Sequence, residues 1–134
     1  MSNRDHPPLP GGDLERALLT ALWAREKATA RELYDEIGAS RQIVYTTVAK
    51  VLDRLVDKRM VRRRRVGRAF TYSALVQRAA TQRAIARDLI EQLAGDDPQP
   101  AVSALLGAME DVSPALLEKL AAELDARKGR RHGA

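Results

Sequence analysis

Apolar residues first recur at helical spacing from Leu14: Leu14, Ala17, Leu18, Ala21 and Leu22 fall at i, i+3, i+4, i+7 and i+8. That stripe predicts a helix from Asp13, as its capping residue, to about Arg25, with Trp23 beside it as a core anchor. Thr29 followed by Glu32 is a capping box, so a second, short helix is expected there. It should end at Gly38 and bury Ala30, Leu33, Tyr34 and Ile37. A tight connection follows, with Ser40 placed to cap a third helix over residues 42 to 58. In that helix Val44, Val48, Val51, Leu52, Leu55 and Val56 fall in a sector of about 140° at about 100° per residue. The opposite side then carries Ile43, Thr46, Lys50, Asp53 and Asp57, with Gln42, Thr47 and Arg54 at its edges.

After Arg59 the period changes from 3.6 to 2. Residues 61 to 66 and 69 to 73 read as two strands joined by Gly67 and Arg68, a two-residue hairpin turn. In that register Arg65 faces Phe70 and Arg63 faces Tyr72. These two arginines lay their stems over the aromatics and leave Arg62 and Arg64 on the other face. Helical periodicity then returns. Residues 77 to 95 carry Ala79, Ile85, Ala86, Leu89, Ile90 and Leu93 on one side. Pro98 and Pro100 open a helix with Val102, Leu105, Leu106 and Met109, and Ser113 with Pro114 starts one bearing Leu116, Leu117, Leu120 and Leu124. About fifty residues of Leu- and Ala-rich helix exceed what so small a domain can cover. Residues 77 to 125 are therefore expected to form a homodimer, the alternative being a lid folded back on the same chain.

The charge is segregated. The chain has 134 residues and a formal net charge of +5. Residues 41 to 68 hold ten basic residues against two acidic ones, whereas residues 77 to 125 hold four against nine. A basic block inside a folded region is the electrostatic footprint of a nucleic-acid contact, although a solvated charged face would give the same count. There is no cysteine, and the only histidines are His6 and His132, so a disulfide framework, a metal site and any cofactor are not expected. No apolar run suggests a membrane span or a signal peptide, and the expected location is cytoplasmic. Four domains of organisation follow: a disordered or loosely docked segment 1–12, a DNA-binding domain 13–76, a helical dimerisation region 77–127 and a disordered basic tail 128–134.

Three helices followed by an arginine-rich hairpin is the order of a winged helix-turn-helix. The fold class is thus mainly α with a small β-hairpin, plus the C-terminal helical dimerisation region. A third helix of this kind fits the major groove of double-stranded DNA, and Gln42, Thr46, Thr47 and Lys50 are the candidates for base contact. Arg41, Tyr45, Arg54, Arg62, Arg64 and Arg68 are candidates for phosphate or minor-groove contact. Leu89, Ile90, Leu93, Leu105, Leu106, Leu116, Leu117, Leu120 and Leu124 are the candidates for the dimer contact. No base accompanies adjacent acids such as Asp96 and Asp97, and no activated nucleophile is visible, so an enzyme is not expected.

The stretch VYTTVAKVLDRLVDKRMVRRRRVGRAFTYSAL, residues 44 to 75, resembles the penicillinase-repressor (BlaI/MecI/CopY) family of transcriptional regulators. The first helix (DLERALLTALWAR) and the segments GDD and EDVSPALLEKL extend the resemblance over residues 13 to 125. It implies a dimeric repressor on a palindromic operator, controlling β-lactam resistance or envelope-stress genes and paired with a membrane-bound metalloprotease sensor that triggers repressor cleavage. Three positions depart from the family pattern. Arg59 stands where the family usually has Gly, which predicts a modest backbone penalty. Leu105–Leu106 aligns with the family's cleaved Asn–Phe bond, which puts relief by that cleavage in doubt. The C-terminal cysteines of copper-responsive members are absent, which excludes copper sensing by thiolates. Two other classes remain: a winged-helix regulator controlled by a small-molecule ligand, and a protein-interaction module built on the winged scaffold.

Overall fold

The computed structural model describes residues 8–132. Its elements run α1 (Asp13–Arg25), β1 (Ala28–Thr29), α2 (Ala30–Leu33), α3 (Tyr45–Asp57), β2 (Val61–Val66), β3 (Ala69–Ala74), α4 (Arg78–Leu93), α5 (Gln99–Val112) and α6 (Ala115–His132). The chain divides into two compact units, one up to Ala86 and one from Arg87 onward.

In the first unit, α1, α2 and α3 enclose a core with Leu18, Leu19, Leu22, Leu33, Leu52, Leu55 and Met60 essentially removed from solvent. Each such side chain contributes roughly 1.5–3 kcal/mol through loss of apolar surface to water. The Thr29 capping box forms as predicted: the Thr29 hydroxyl accepts from the Glu32 N–H at 3.1 Å, and the Glu32 carboxylate accepts from the Thr29 N–H at 3.0 Å. The backbone bond from Thr29 is the main cause that holds the Glu32 carboxyl below its ordinary pKa, with the Thr29 side chain and Arg25 acting in the same direction. After Leu33 the helix widens into a π turn over Tyr34–Gly38. A side chain at Gly38 would lie 2.8 Å from Tyr34 Cδ2 and 3.0 Å from Val48, so glycine permits the close approach to α3.

The hairpin has the predicted register, with Arg63 opposite Tyr72 and Arg65 opposite Phe70. Gly67 takes the left-handed conformation the tight turn requires, at φ 64°. Sequence periodicity missed β1, whose two residues pair with Tyr72 and Thr71 to give the sheet order β1-β3-β2. Two residues have no period to read. Trp23 is part-buried against the core, and its indole N–H donates to the Val76 carbonyl at 3.0 Å.

Several expectations need correction. The third helix begins at Tyr45 rather than Gln42, because the tight connection expected over residues 39–42 continues through Ile43 and an extended Val44. Ile43 N–H donates to the Gly38 carbonyl and Ile43 packs on the core, while Val44 is 62% exposed, which reverses their predicted sides. Ser40 caps nothing; its hydroxyl donates to the Ile37 carbonyl. Asp13 is the first helical residue rather than the cap, which is Gly12. In α4 the buried positions are Thr81 and Ala84, not the predicted Ala79 and Ala86. Of the N-terminal segment, Pro10 is buried, the Leu9 carbonyl accepts from Lys58 Nζ and the Gly11 N–H donates to Glu15, while residues 1–7 lie outside the described residues. The basic tail is not disordered as far as it is described: α6 runs on through Lys128 to His132.

In the second unit α5 and α6 pack on each other. Pro98 stands at the N-cap of α5, as its lack of an N–H favours, and Pro114 immediately precedes the first residue of α6.

Candidate nucleic-acid interface

α3 is strongly two-sided. Val48, Val51, Leu52 and Leu55 face the core, and Thr46, Thr47, Lys50, Asp53 and Arg54 are exposed. Tyr45 is 40% exposed at the helix start, its ring edge-on to Tyr34 with centroids 6.0 Å apart. That contact steadies the ring and leaves its outer side free. Arg41 and Gln42 are exposed in the preceding turn, where Gln42 holds a left-handed conformation at φ 57°. Gln42 is therefore beside α3 and not on it.

The hairpin sorts its four consecutive arginines by strand alternation. Arg63 reaches α3, its Nη1 donating to Asp53 Oδ1 at 3.1 Å, and its guanidinium lies 4.7 Å from the centre of the Phe70 ring. Arg65 covers the same ring at 6.0 Å and donates to the Gly67 carbonyl at 3.2 Å. Beneath them Tyr72 is buried, and that burial raises its phenol pKa against the opposing effect of Arg63. Arg62, Arg64 and the turn residue Arg68 are exposed, and among the described residues they have no ion-pair partner. Arg63 thus ties the wing to α3, Arg65 stays within the wing over Phe70, and three charges remain uncompensated beside them. Unpaired like charges held this close favour a polyanion.

The sequence of residues 11–126 matches the family described as penicillinase repressor. The chain belongs to the penicillinase repressor family. It is 35% identical over 124 residues to the transcriptional regulator BlaI of two Mycobacterium tuberculosis strains, CDC 1551 / Oshkosh and H37Rv, covering 90% of this chain and 88% of theirs. Among solved structures it is similar to the DNA-binding domain of the repressor BlaI in solution, at 20% identity and a TM-score of 0.49, covering 55% of this chain and 90% of that one. The chain is a BlaI-like transcriptional repressor with a winged-helix DNA-binding domain, and not an enzyme.

Against the usual penicillinase repressor pattern, Arg59 does occupy a left-handed position, at φ 61°. It closes α3: Met60 N–H donates to the Leu55 carbonyl and Arg59 N–H to that of Val56, the two bonds of a Schellman end. The residues assigned to the dimer contact lie on all three later helices. Leu89, Ile90, Leu93 and Leu124 are 43–46% exposed, and Leu105, Leu106, Leu116, Leu117 and Leu120 are half-buried. Leu105–Leu106 lies inside α5, well away from either end. Among the described residues no cluster of acids or histidines could hold a metal, and no helix is long and apolar enough to cross a membrane.

Sequence reasoning missed two polar features. The Asp53–Arg63 pair was hidden because Asp53 reads as one more outward charge until the wing is folded over it. The second is Glu15, whose side chain is 3% exposed. It accepts from Lys58 Nζ at 2.9 Å and from the Gly11 N–H, tying the segment before α1 to the end of α3. The signal available was a carboxylate on the edge of the apolar stripe of α1, with Lys58 far along the chain.

Proposed function

We propose that this chain is a homodimeric repressor that reads a palindromic operator in double-stranded DNA with α3 and clamps the flanking backbone with the wing. Thr46, Thr47 and Lys50 contact bases, Gln42 and Arg41 approach from the turn, and Tyr45, Arg54, Arg62, Arg64 and Arg68 hold phosphates. The observation that carries this reading is the set of uncompensated wing arginines beside an exposed, polar α3 face. The dimer draws support from the leucines left half-open along α4, α5 and α6. Twofold symmetry in the protein implies twofold symmetry in the operator.

The family description, penicillinase repressor, supports β-lactam resistance genes as targets; envelope-stress genes, a cytoplasmic location and a membrane-bound metalloprotease sensor upstream belong to the proposal through the sequence resemblance alone. Leu105–Leu106 inside a helix is a poor protease substrate, so if the sensor acts by proteolysis the cut falls elsewhere than at this bond. Two modules that each neutralise four or five phosphates give a log–log salt slope of about −7 to −9. Fluorescence anisotropy against genomic fragments recovered by genome-wide mapping measures it. A slope near zero, or no enriched fragment, overturns the reading.

A further inference from the structure

Val44 departs from two local preferences at once. It is the N-cap of α3, in extended conformation at φ −75° and ψ 155°, and no side chain caps that helix. Ser, Thr, Asn or Asp at this position would accept from a free N–H of the first turn, which valine cannot do. It is also 62% exposed, although helical spacing alone would put it in the core. Ile43 takes the core place instead. Where a residue gives up both a cap and burial with no packing gain, a functional reason is expected.

The surroundings narrow that reason. Tyr45, Thr46 and Thr47 follow it and are exposed, Arg41 and Gln42 precede it, and Lys50 lies further along α3. An apolar group sits at the start of the helix in a polar and basic surface. The N-terminal end of a recognition helix is the part that meets base edges in the major groove. A branched aliphatic side chain can neither donate nor accept a hydrogen bond and has no attraction to phosphate. The apolar feature the major groove presents is the C5-methyl of thymine.

We infer that Val44 is a specificity-determining residue that packs against a thymine methyl in each operator half-site. This rests on the proposed reading of α3 as the base-reading helix. The test uses the full chain and a duplex selected by it from a random-sequence pool, with each thymine replaced in turn by deoxyuridine, which lacks only that methyl. The expected result is one thymine per half-site whose replacement weakens wild-type binding about fourfold, the fold-change of one buried methyl. Val44→Ala binds the parent duplex more weakly and is indifferent to deoxyuridine at that position, while Val44→Thr, which keeps one methyl, falls between. If no thymine is sensitive, or if Val44→Ala remains as sensitive as wild type, the inference about Val44 is overturned and the role of α3 stands. If the wild type selects no sequence at all, the base-reading role of α3 falls with it.

Discussion

The two units bury their apolar residues very differently. Up to Ala86 the core leucines are 0–1% exposed, among them Leu18, Leu33, Leu52 and Leu55. From Arg87 onward, Ala101 is the one described residue in the buried class, and leucines of α4, α5 and α6 stop at half-buried or remain over 40% exposed. Both units are helical and both show an apolar stripe. The difference is enclosure: in the first unit three helices and a small sheet converge on one interior, whereas in the second α5 and α6 cover part of each other and, among the described residues, no interior closes. A stripe predicts a helix in either case. Only the number of elements around it predicts whether the helix is stable within one chain.

The largest effect should come from charging the open stripe. Leu89→Asp combined with Leu93→Asp should convert the proposed dimer to a monomer in analytical ultracentrifugation. Operator binding should then fall roughly 100- to 10,000-fold, because the second half-site no longer binds as an intramolecular event. Trp23, the single tryptophan, belongs to the first unit and should keep its wild-type fluorescence. A variant that stays dimeric would break the comparison at its root.

The converse substitution probes the closed core. Leu55→Ala removes a side chain with no exposure and should cost about 2–5 kcal/mol, transfer and cavity together. Urea unfolding followed by Trp23 emission measures it, and a loss below about 1 kcal/mol would mean that the core relaxes far more than its burial implies. Leu117→Ala, at a half-buried site, should cost less by the same probe and act mainly on the concentration dependence of assembly.

A smaller effect is expected where the first unit buries charge. Glu15→Ala leaves Lys58 without its carboxylate and the Gly11 N–H without an acceptor. A fully buried pair broken in this way costs about 3–5 kcal/mol. Lys58 is 37% exposed, however, so water can take over part of the carboxylate's role, and about 1–3 kcal/mol is expected. Glu15→Gln should recover part of that loss by restoring an acceptor. Equal losses in both variants would show that the charge, and not the acceptor, is what the fold uses.

The same contrast explains what could be read from the chain beforehand. The capping box at Thr29, the hairpin register through Gly67 and the arginine alternation are local: each depends on residues a few positions apart, and each appears as expected. The start of α3 was misread because periodicity admits Val44 as readily as Val48, and what excludes it is the turn fixed by the Gly38 carbonyl accepting from Arg41 and Ile43. The two-residue β1 strand has no period of its own and exists only because β3 offers it an edge. Glu15 with Lys58, and Asp53 with Arg63, are polar contacts made by tertiary folding, and no spacing rule encodes them. At the interface, the residue types in the basic block pointed to DNA, but the division into bracing and free arginines needed the packed wing.

The smallest expected effect lies at the end of α3. Arg59 holds φ 61°, in a conformation that costs an L-residue with a β-carbon roughly 1–2 kcal/mol and glycine nothing. Its place is fixed by two backbone hydrogen bonds and by Met60, which is buried beside Leu55, so the chain cannot relax the strain locally. Arg59→Gly removes the strain but adds freedom to the unfolded chain, an opposing term of about 0.5–1 kcal/mol. The net should be a gain of about 0.5–1 kcal/mol in unfolding free energy, read as a higher urea midpoint by Trp23 emission, with the proposed dimer equilibrium unchanged. Arg59→Ala is the control, since it removes the charge and keeps the β-carbon, and it should bring no gain. If both variants stabilise equally, the relief comes from thinning the basic block, and repulsion among Lys58, Arg59 and Arg62 rather than backbone strain is what the native sequence tolerates there for the sake of DNA.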